Sequence, residues 1–211
     1  MIYEESGCEP VTYVESSALR CERLSLPASE LYYPRFDGLT QYALLSSPLV
    51  VPAGVDFELE VAVSGLNPSA YQSIFSGSTI DNFFRSLSNG DGIQVYAGSY
   101  VVTWSTSGFN PSARHVYLLK RVGATISILV DGEVKATRSG STQAVEVDRL
   151  MRSWTTSSYT TGLLESFKLS IAGVLSNAIM FNQRNQNVQQ ASVGGVNAAI
   201  INHTEAMWEL S

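Results

Sequence analysis

Charge, cysteine and histidine are all scarce in this chain, and each shortage removes a class of function. Asp, Glu, Lys and Arg make up 15% of its 211 residues, and 13 basic against 19 acidic side chains leave a net charge of −6. So few cations provide no basic stripe to neutralise a phosphate backbone, and nucleic acid is not an expected partner. The two cysteines, Cys8 and Cys21, are too few for a disulfide framework. Free thiols are expected, and a bridge closing that short loop stays open as an alternative. Neither a third cysteine nor a nearby histidine is present to complete a zinc site. Long apolar runs are also missing, so no segment reads as a membrane span, and no membrane partner is expected. Met1-Ile2-Tyr3-Glu4-Glu5 lacks the positive start and apolar stretch of a secretion signal, which predicts synthesis and folding in a cytoplasm.

What the chain has in quantity is apolar and aromatic surface. Hydrophobic residues make up 45% of it, with 10 tyrosines, 8 phenylalanines and 3 tryptophans, enough for one substantial core. The pattern is that of strands, with almost no helical periodicity. Val55, Phe57, Leu59, Val61 and Val63 alternate with Asp56, Glu58 and Glu60, as in an antiparallel strand buried on one face. Further strands are expected at residues 41–45, 71–76, 83–87, 93–96, 100–104, 145–151 and 163–171. Asn67-Pro68, Asn89-Gly90-Asp91-Gly92, Gly98-Ser99 and Asn110-Pro111 mark turns between them. Residues 114–138 predict a meander that turns first at Gly123-Ala124 and again at Asp131-Gly132. The Asp-Gly pair readily takes the positive φ angles of a tight hairpin.

Three segments carry a resemblance. A strand opening on His115, its short turn and the Val130-Asp131-Gly132 hairpin resemble the central meander of concanavalin A-like domains, the laminin G-like and pentraxin-like jelly rolls. Tyr33-Pro34-Arg35-Phe36-Asp37-Gly38 ahead of Gln41-Tyr42-Ala43-Leu44 resembles their opening, although the usual tryptophan near the end of the following long strand is missing. Tyr159 to Leu169 resembles their closing strand. The order of the three implies an all-β, two-sheet antiparallel jelly-roll sandwich over residues 33–181. An extended arm would precede it at 1–32, and a closing segment at 182–211 would pack on the same sandwich. That last segment resembles the ends of jelly-roll modules in tailed-bacteriophage structural proteins, through Ser192-Val193-Gly194-Gly195, the strand Val196 to Asn202 and a final Trp208.

Residues able to do chemistry are few. Glycosidases of this fold place paired carboxylates on one strand. The nearest approaches here, Glu146-Val147-Asp148 and the row Asp56, Glu58, Glu60, read equally well as solvated strand faces. His115 and His203 lie beside no nucleophile motif, so no catalytic residue is expected. Asn202-His203-Thr204 spells a glycosylation sequon, which without a secretion signal reads as coincidence. Asp81-Asn82 and Asn89-Gly90-Asp91-Gly92 are better explained as turn chemistry than as calcium loops, so no metal and no cofactor is expected.

Aromatic rings near turns are the more serious option, because an exposed ring can stack on a sugar. Trp104, Trp154, Tyr71, Tyr96, Tyr100 and Tyr159 qualify, against the alternative of core packing or subunit contact. Trp154 is the leading candidate, with Arg152, Tyr100 and Trp104 completing the expected carbohydrate-binding set. The resemblance of the carboxyl-terminal segment implies a virion structural protein on a phage exterior, a capsid decoration or a head or tail fibre component. Its partners would be other virion proteins and copies of itself, in a homo-oligomer such as the trimers of symmetric appendages. Tyr3, Val11, Tyr13, Leu24 and Leu26 of the arm, and Trp208, are the expected docking residues. A stand-alone lectin-like module is the alternative, and a glycoside hydrolase the third class.

Overall fold

The computed structural model describes residues 30–210 apart from 89–90, 99, 106 and 156–157. Most of the expected arm lies outside the described residues, including Tyr3, Val11, Tyr13, Leu24, Leu26 and both cysteines. The described chain is built of strands: β1 Tyr32–Asp37, β2 Tyr42–Val51, β3 Phe57–Ser64, β4 Gln72–Ser76, β5 Asn82–Ser86 and β6 Gly92–Ala97. There follow β7 Tyr100–Ser105, β8 His115–Val122, β9 Thr125–Val130, β10 Glu133–Ser139, β11 Val145–Leu150 and β12 Thr161–Ile171. The chain closes with β13 Val174–Met180, β14 Val188–Gln189, β15 Ala191–Val193, β16 Ala198–Ile201 and β17 Trp208–Leu210. No helix among the described residues is long and apolar enough to cross a membrane.

These strands form two antiparallel sheets. One runs β10-β9-β8-β3-β12-β1-β17, with β13 also on β12 and β15 on β13; the other runs β14-β16-β2-β11-β4-β5-β6-β7. The sheets close face to face as a jelly-roll sandwich, with the inward residues of their strands forming one core between them. Phe57, Leu59, Val61 and Val63 of β3 are all buried, as the alternation requires. The meander forms in the expected register, with Leu118 opposite Leu129 and Glu133 opposite Val130. Asp131 and Gly132 take φ of 52° and 82°, the paired positive angles of a two-residue hairpin.

Several elements differ from the expected pattern, β2 and β13 most of all. β2 does not stop at Leu45 but runs on through Pro48 to Val51. Its register against β11 slips between Val147 and Arg149, which face Leu49 and Leu44, so Pro48 falls where the regular ladder is interrupted. β13 was not anticipated, since Val174 and Leu175 at its start are exposed and its sequence lacks clean alternation.

At one end of the sandwich Arg121 is fully buried. Its Nε donates to the Val55 carbonyl at 2.9 Å, Nη2 to the Pro52 and Val55 carbonyls, and Nη1 to that of Gln143. Backbone oxygens of two loops thereby share one cation, an arrangement suited to the planar guanidinium fork.

Candidate functional site

Strands β4 to β7 present two different faces. Ile74, Phe84, Ile93, Val95 and Val102 point inward and belong to the core. Cross-strand pairing aligns the outward residues in two rows, Ser73–Arg85–Gln94–Thr103 and Ser76–Phe83–Tyr96–Val101. In the second row Phe83 stacks on Tyr96 at 4.4 Å between ring centroids, and Trp154 stacks on Phe83 at 5.1 Å. In the first row the Arg85 guanidinium lies 4.5 Å from the centre of Tyr71 and 4.7 Å from that of Phe83. Its Nε and Nη2 both donate to Gln94 Oε1, at 3.1 and 2.6 Å. Burial pulls the Arg85 pKa below the ordinary arginine value, although Tyr71 and Tyr96 oppose the shift. Arginine starts so high that the group stays charged.

The loop carrying Trp154 is fastened to this sheet rather than free above it. Met151 takes φ of 62°, its N–H donates to the Ile74 carbonyl, and Thr160 Oγ1 donates to that of Ser73 at 2.7 Å. Ser76 Oγ donates to the Arg152 carbonyl, and Arg152 bridges Tyr159 through backbone pairing. The Arg152 guanidinium, largely buried, lies over Tyr42 at 4.5 Å and Tyr159 at 5.1 Å. Between this loop and the β1–β2 turn opens a cleft of about 480 Å³, walled by Tyr71 and Tyr159 with Gln72, Ser158, Asn67 and Asp37. Tyr71 is 55% exposed, so one of its ring faces is open to a ligand while the guanidinium backs the ring. Asp37 accepts hydrogen bonds from the N–H groups of Leu39, Thr40 and Gln41 and from the Thr40 hydroxyl. Burial alone would raise its pKa, but these donors together hold it below the usual aspartate value.

A second cleft of about 370 Å³ lies at the sandwich edge, between Trp104, Phe109, His115, Asp131, Glu133 and Lys135. Trp104 pairs with the core residue Ile93, so its ring lies on the inner face of β7 and meets Phe109 edge-on at 5.1 Å. Lys135 Nζ stands 5.4 Å from the Trp104 ring centre and pairs with Glu133. His115 is held at both ring nitrogens, Nδ1 to Asp131 Oδ2 at 2.7 Å and Nε2 to the Asn110 carbonyl at 2.9 Å. A ring so engaged ties the Asn110 loop and the Asp131 hairpin to the start of β8.

The expected carbohydrate-binding residues are thus divided between two places. Arg152 and Trp154 share one loop, on the outer side of the eight-stranded sheet. Trp104 lies on the inner side of the same sheet, so the two tryptophans do not meet on one surface. The Tyr100 backbone pairs with Ala97 at the start of β7. Trp208 is 7% exposed, pairs with Pro34 and donates its indole N–H to His203 Nε2 at 3.0 Å. Its ring is therefore spent on its own sandwich, with little left for a neighbouring subunit. Phe83, Arg85 and Gln94 were missed as site residues. Alternation in Asn82-Phe83-Phe84-Arg85 would have set Phe83 and Arg85 on one face together.

The acids are tied up in short contacts. Arg149 donates through Nε and Nη2 to the two oxygens of Asp148, at 2.7 and 2.6 Å. Glu146 accepts from Ser78 N–H and Oγ. No group of three or more His, Cys, Asp or Glu able to hold a metal occurs among the described residues.

No family model matches the chain, and no curated protein matches it. Solved structures do. A candidate carbohydrate binding protein from Bacteroides ovatus matches 82% of this chain at 12% identity with a TM-score of 0.56, and the chain spans 60% of that protein's length. A native heptameric pentraxin from Limulus polyphemus matches 66% of the chain, and 75% of its own, at 11% identity and a TM-score of 0.46. At 12% identity the likeness to the Bacteroides protein speaks for architecture alone. The chain folds as a two-sheet antiparallel β-sandwich of the jelly-roll type.

Proposed function

We propose that this protein is a non-catalytic carbohydrate-binding module whose ligand face is the outer surface of β4 to β7 together with loop residues 151–155 and 158–160. The observation that carries this reading is the continuous run Tyr71–Arg85–Phe83–Trp154 beside the 480 Å³ cleft. Rigid rings with an open face offer stacking at little entropic cost, and the exposed Asn67 and Ser158 supply hydroxyl partners at the rim. The tethered loop fixes the ring positions before a sugar arrives, which limits the ordering cost of binding. The non-catalytic part is supported by the Arg149 clamp on Asp148, which ties up the acid nearest Glu146.

A glycan array followed by titration against the best ligand tests the reading. Tyr71→Ala and Trp154→Ala should each weaken binding by about 2 kcal/mol, roughly thirtyfold, as for central aromatic anchors. Retention of no saccharide by the wild type, or equal retention by both variants, would sink it. Polysaccharide hydrolysis that disappears in Glu146→Gln would overturn the non-catalytic part.

A finer placement, on the exterior of a tailed-phage particle as a homo-oligomer, is supported by the wording of residues 192–208 and the apolar residues of the arm. There the module would be docked by residues 1–32 and present its outer face to host glycans. Deletion of residues 1–32 should abolish incorporation into particles; incorporation at the wild-type level would refute the docking role.

A further inference from the structure

Five of the arginines divide by the partners of their guanidinium groups. Arg35, Arg114 and Arg149 are each tied to a carboxylate, Glu209, Glu165 and Asp148. Arg85 and Arg152, the two on the aromatic face, contact no carboxylate among the described residues. Arg152 is spent on the rings of Tyr42 and Tyr159 and on the Thr155 carbonyl. Arg85 is different. It is half-buried, enough for desolvation to disfavour its charge, and only its Nε and Nη2 are engaged, both by one neutral oxygen of Gln94. A guanidinium has five N–H donors, so the Nη1 edge is left to an incoming group. The nearby acids do not compete for it: Asp37 is consumed by its own turn and Asp148 by Arg149.

We infer that the ligand of this face is a glycan bearing a carboxylate, with a sugar ring stacked on Tyr71 and the carboxylate taken by Arg85. The inference rests on the carbohydrate-binding reading and adds the ligand class. A half-desolvated cation without a counter-ion gains more from a carboxylate than from a hydroxyl, because the charged hydrogen bond is the stronger and the planar fork fits its two oxygens. Arg85 lies between Tyr71 and Gln94, behind the ring face that a sugar would use, so the carboxylate belongs to a substituent or adjoining sugar residue that reaches past the edge of the ring to the guanidinium. The overall charge of −6 does not prevent this, since distant acids are screened beyond roughly 8 Å at physiological salt.

The test compares oligogalacturonate and other uronic-acid oligosaccharides with the same backbones after methyl esterification, which removes the charge and leaves the ring. The wild type should bind the free acids at least about tenfold more tightly, the size expected of a charged hydrogen bond. Arg85→Gln should erase that preference, so that free acids and esters bind alike whatever the remaining affinity, and Arg85→Lys should restore part of it. Thermal melts of both variants show whether the fold is kept. If wild type binds ester and acid equally, or if Arg85→Gln keeps the preference, the acidic-ligand inference fails and the carbohydrate reading stands. If neither acid nor ester nor any neutral saccharide on the same array is bound, both fail.

Discussion

Phe83 and Phe84 are consecutive, chemically identical and equally hidden, at 1% and 0% exposure, yet they belong to different parts of the molecule. Phe84 points between the sheets and meets Phe75 and Tyr117. Phe83 points outward and is hidden by Tyr96, Trp154 and Arg85, side chains that themselves remain half exposed. A strand's period of two makes this possible, since neighbouring residues serve opposite faces. The contrast teaches that low exposure on an outer sheet face marks a covered platform, whereas the same value on the inner face marks core.

The comparison breaks most sharply under truncation. Phe84→Ala should remove about 3–5 kcal/mol of stability, because a large cavity opens where both sheets are fixed. Phe83→Ala should cost about 1–2 kcal/mol, since Trp154 and Arg85 can settle onto the exposed strand, and it should weaken glycan binding instead. Denaturant unfolding monitored in parallel with ligand titration separates the two. Equal stability losses would mean that the outer stack is core by another name.

A comparable loss is expected at the hairpin that aligns the platform. Gly92 takes φ of 113°, and a Cβ there would stand 2.0 Å from the Trp104 carbonyl oxygen, a backbone atom with no freedom to retreat. Gly92→Ala should therefore destabilise by about 2–4 kcal/mol, from the backbone angle and the clash together. The chemical shifts of Tyr96 and Trp104 should move more than those of Tyr42, because β6 and β7 must separate. A folded variant with an unshifted spectrum would contradict the register.

The sandwich itself was legible because alternation in β3 and the Asp131-Gly132 turn are local signals, decided within a few residues. β13 was not, since its first residues are exposed and only its pairing with β12 and β15 makes it a strand. Trp154 and Arg152 stood out as an aromatic and a cation in a polar loop. Phe83 and Arg85 did not, because their neighbour Tyr71 stands twelve and fourteen residues away in sequence and is brought across by β4–β5 pairing. Trp104 and Trp154 look alike in the sequence; the pairing of Trp104 with Ile93 turns it to the other face.

The smallest effect tests whether the meander, unlike the outer face, is scaffold. The Asp131 carboxylate accepts the Val116 N–H at 2.9 Å and pairs with His115. Burial alone would raise its pKa, but the Val116 N–H, His115 and Arg114 together hold it below the ordinary aspartate value. A carboxylate depressed on folding stabilises above its unfolded pKa, and that contribution is lost as pH falls through the lower folded value. Asp131 is half exposed, so solvent screening limits the contribution to about 1 kcal/mol or less. Asn tolerates the φ of 52° at this position, which makes Asp131→Asn a clean probe. The variant should be slightly less stable than wild type at neutral pH, with the difference shrinking as pH falls through the folded Asp131 value, and glycan affinity should stay unchanged at neutral pH. A change in affinity would move the Trp104 cleft from scaffold into the binding surface.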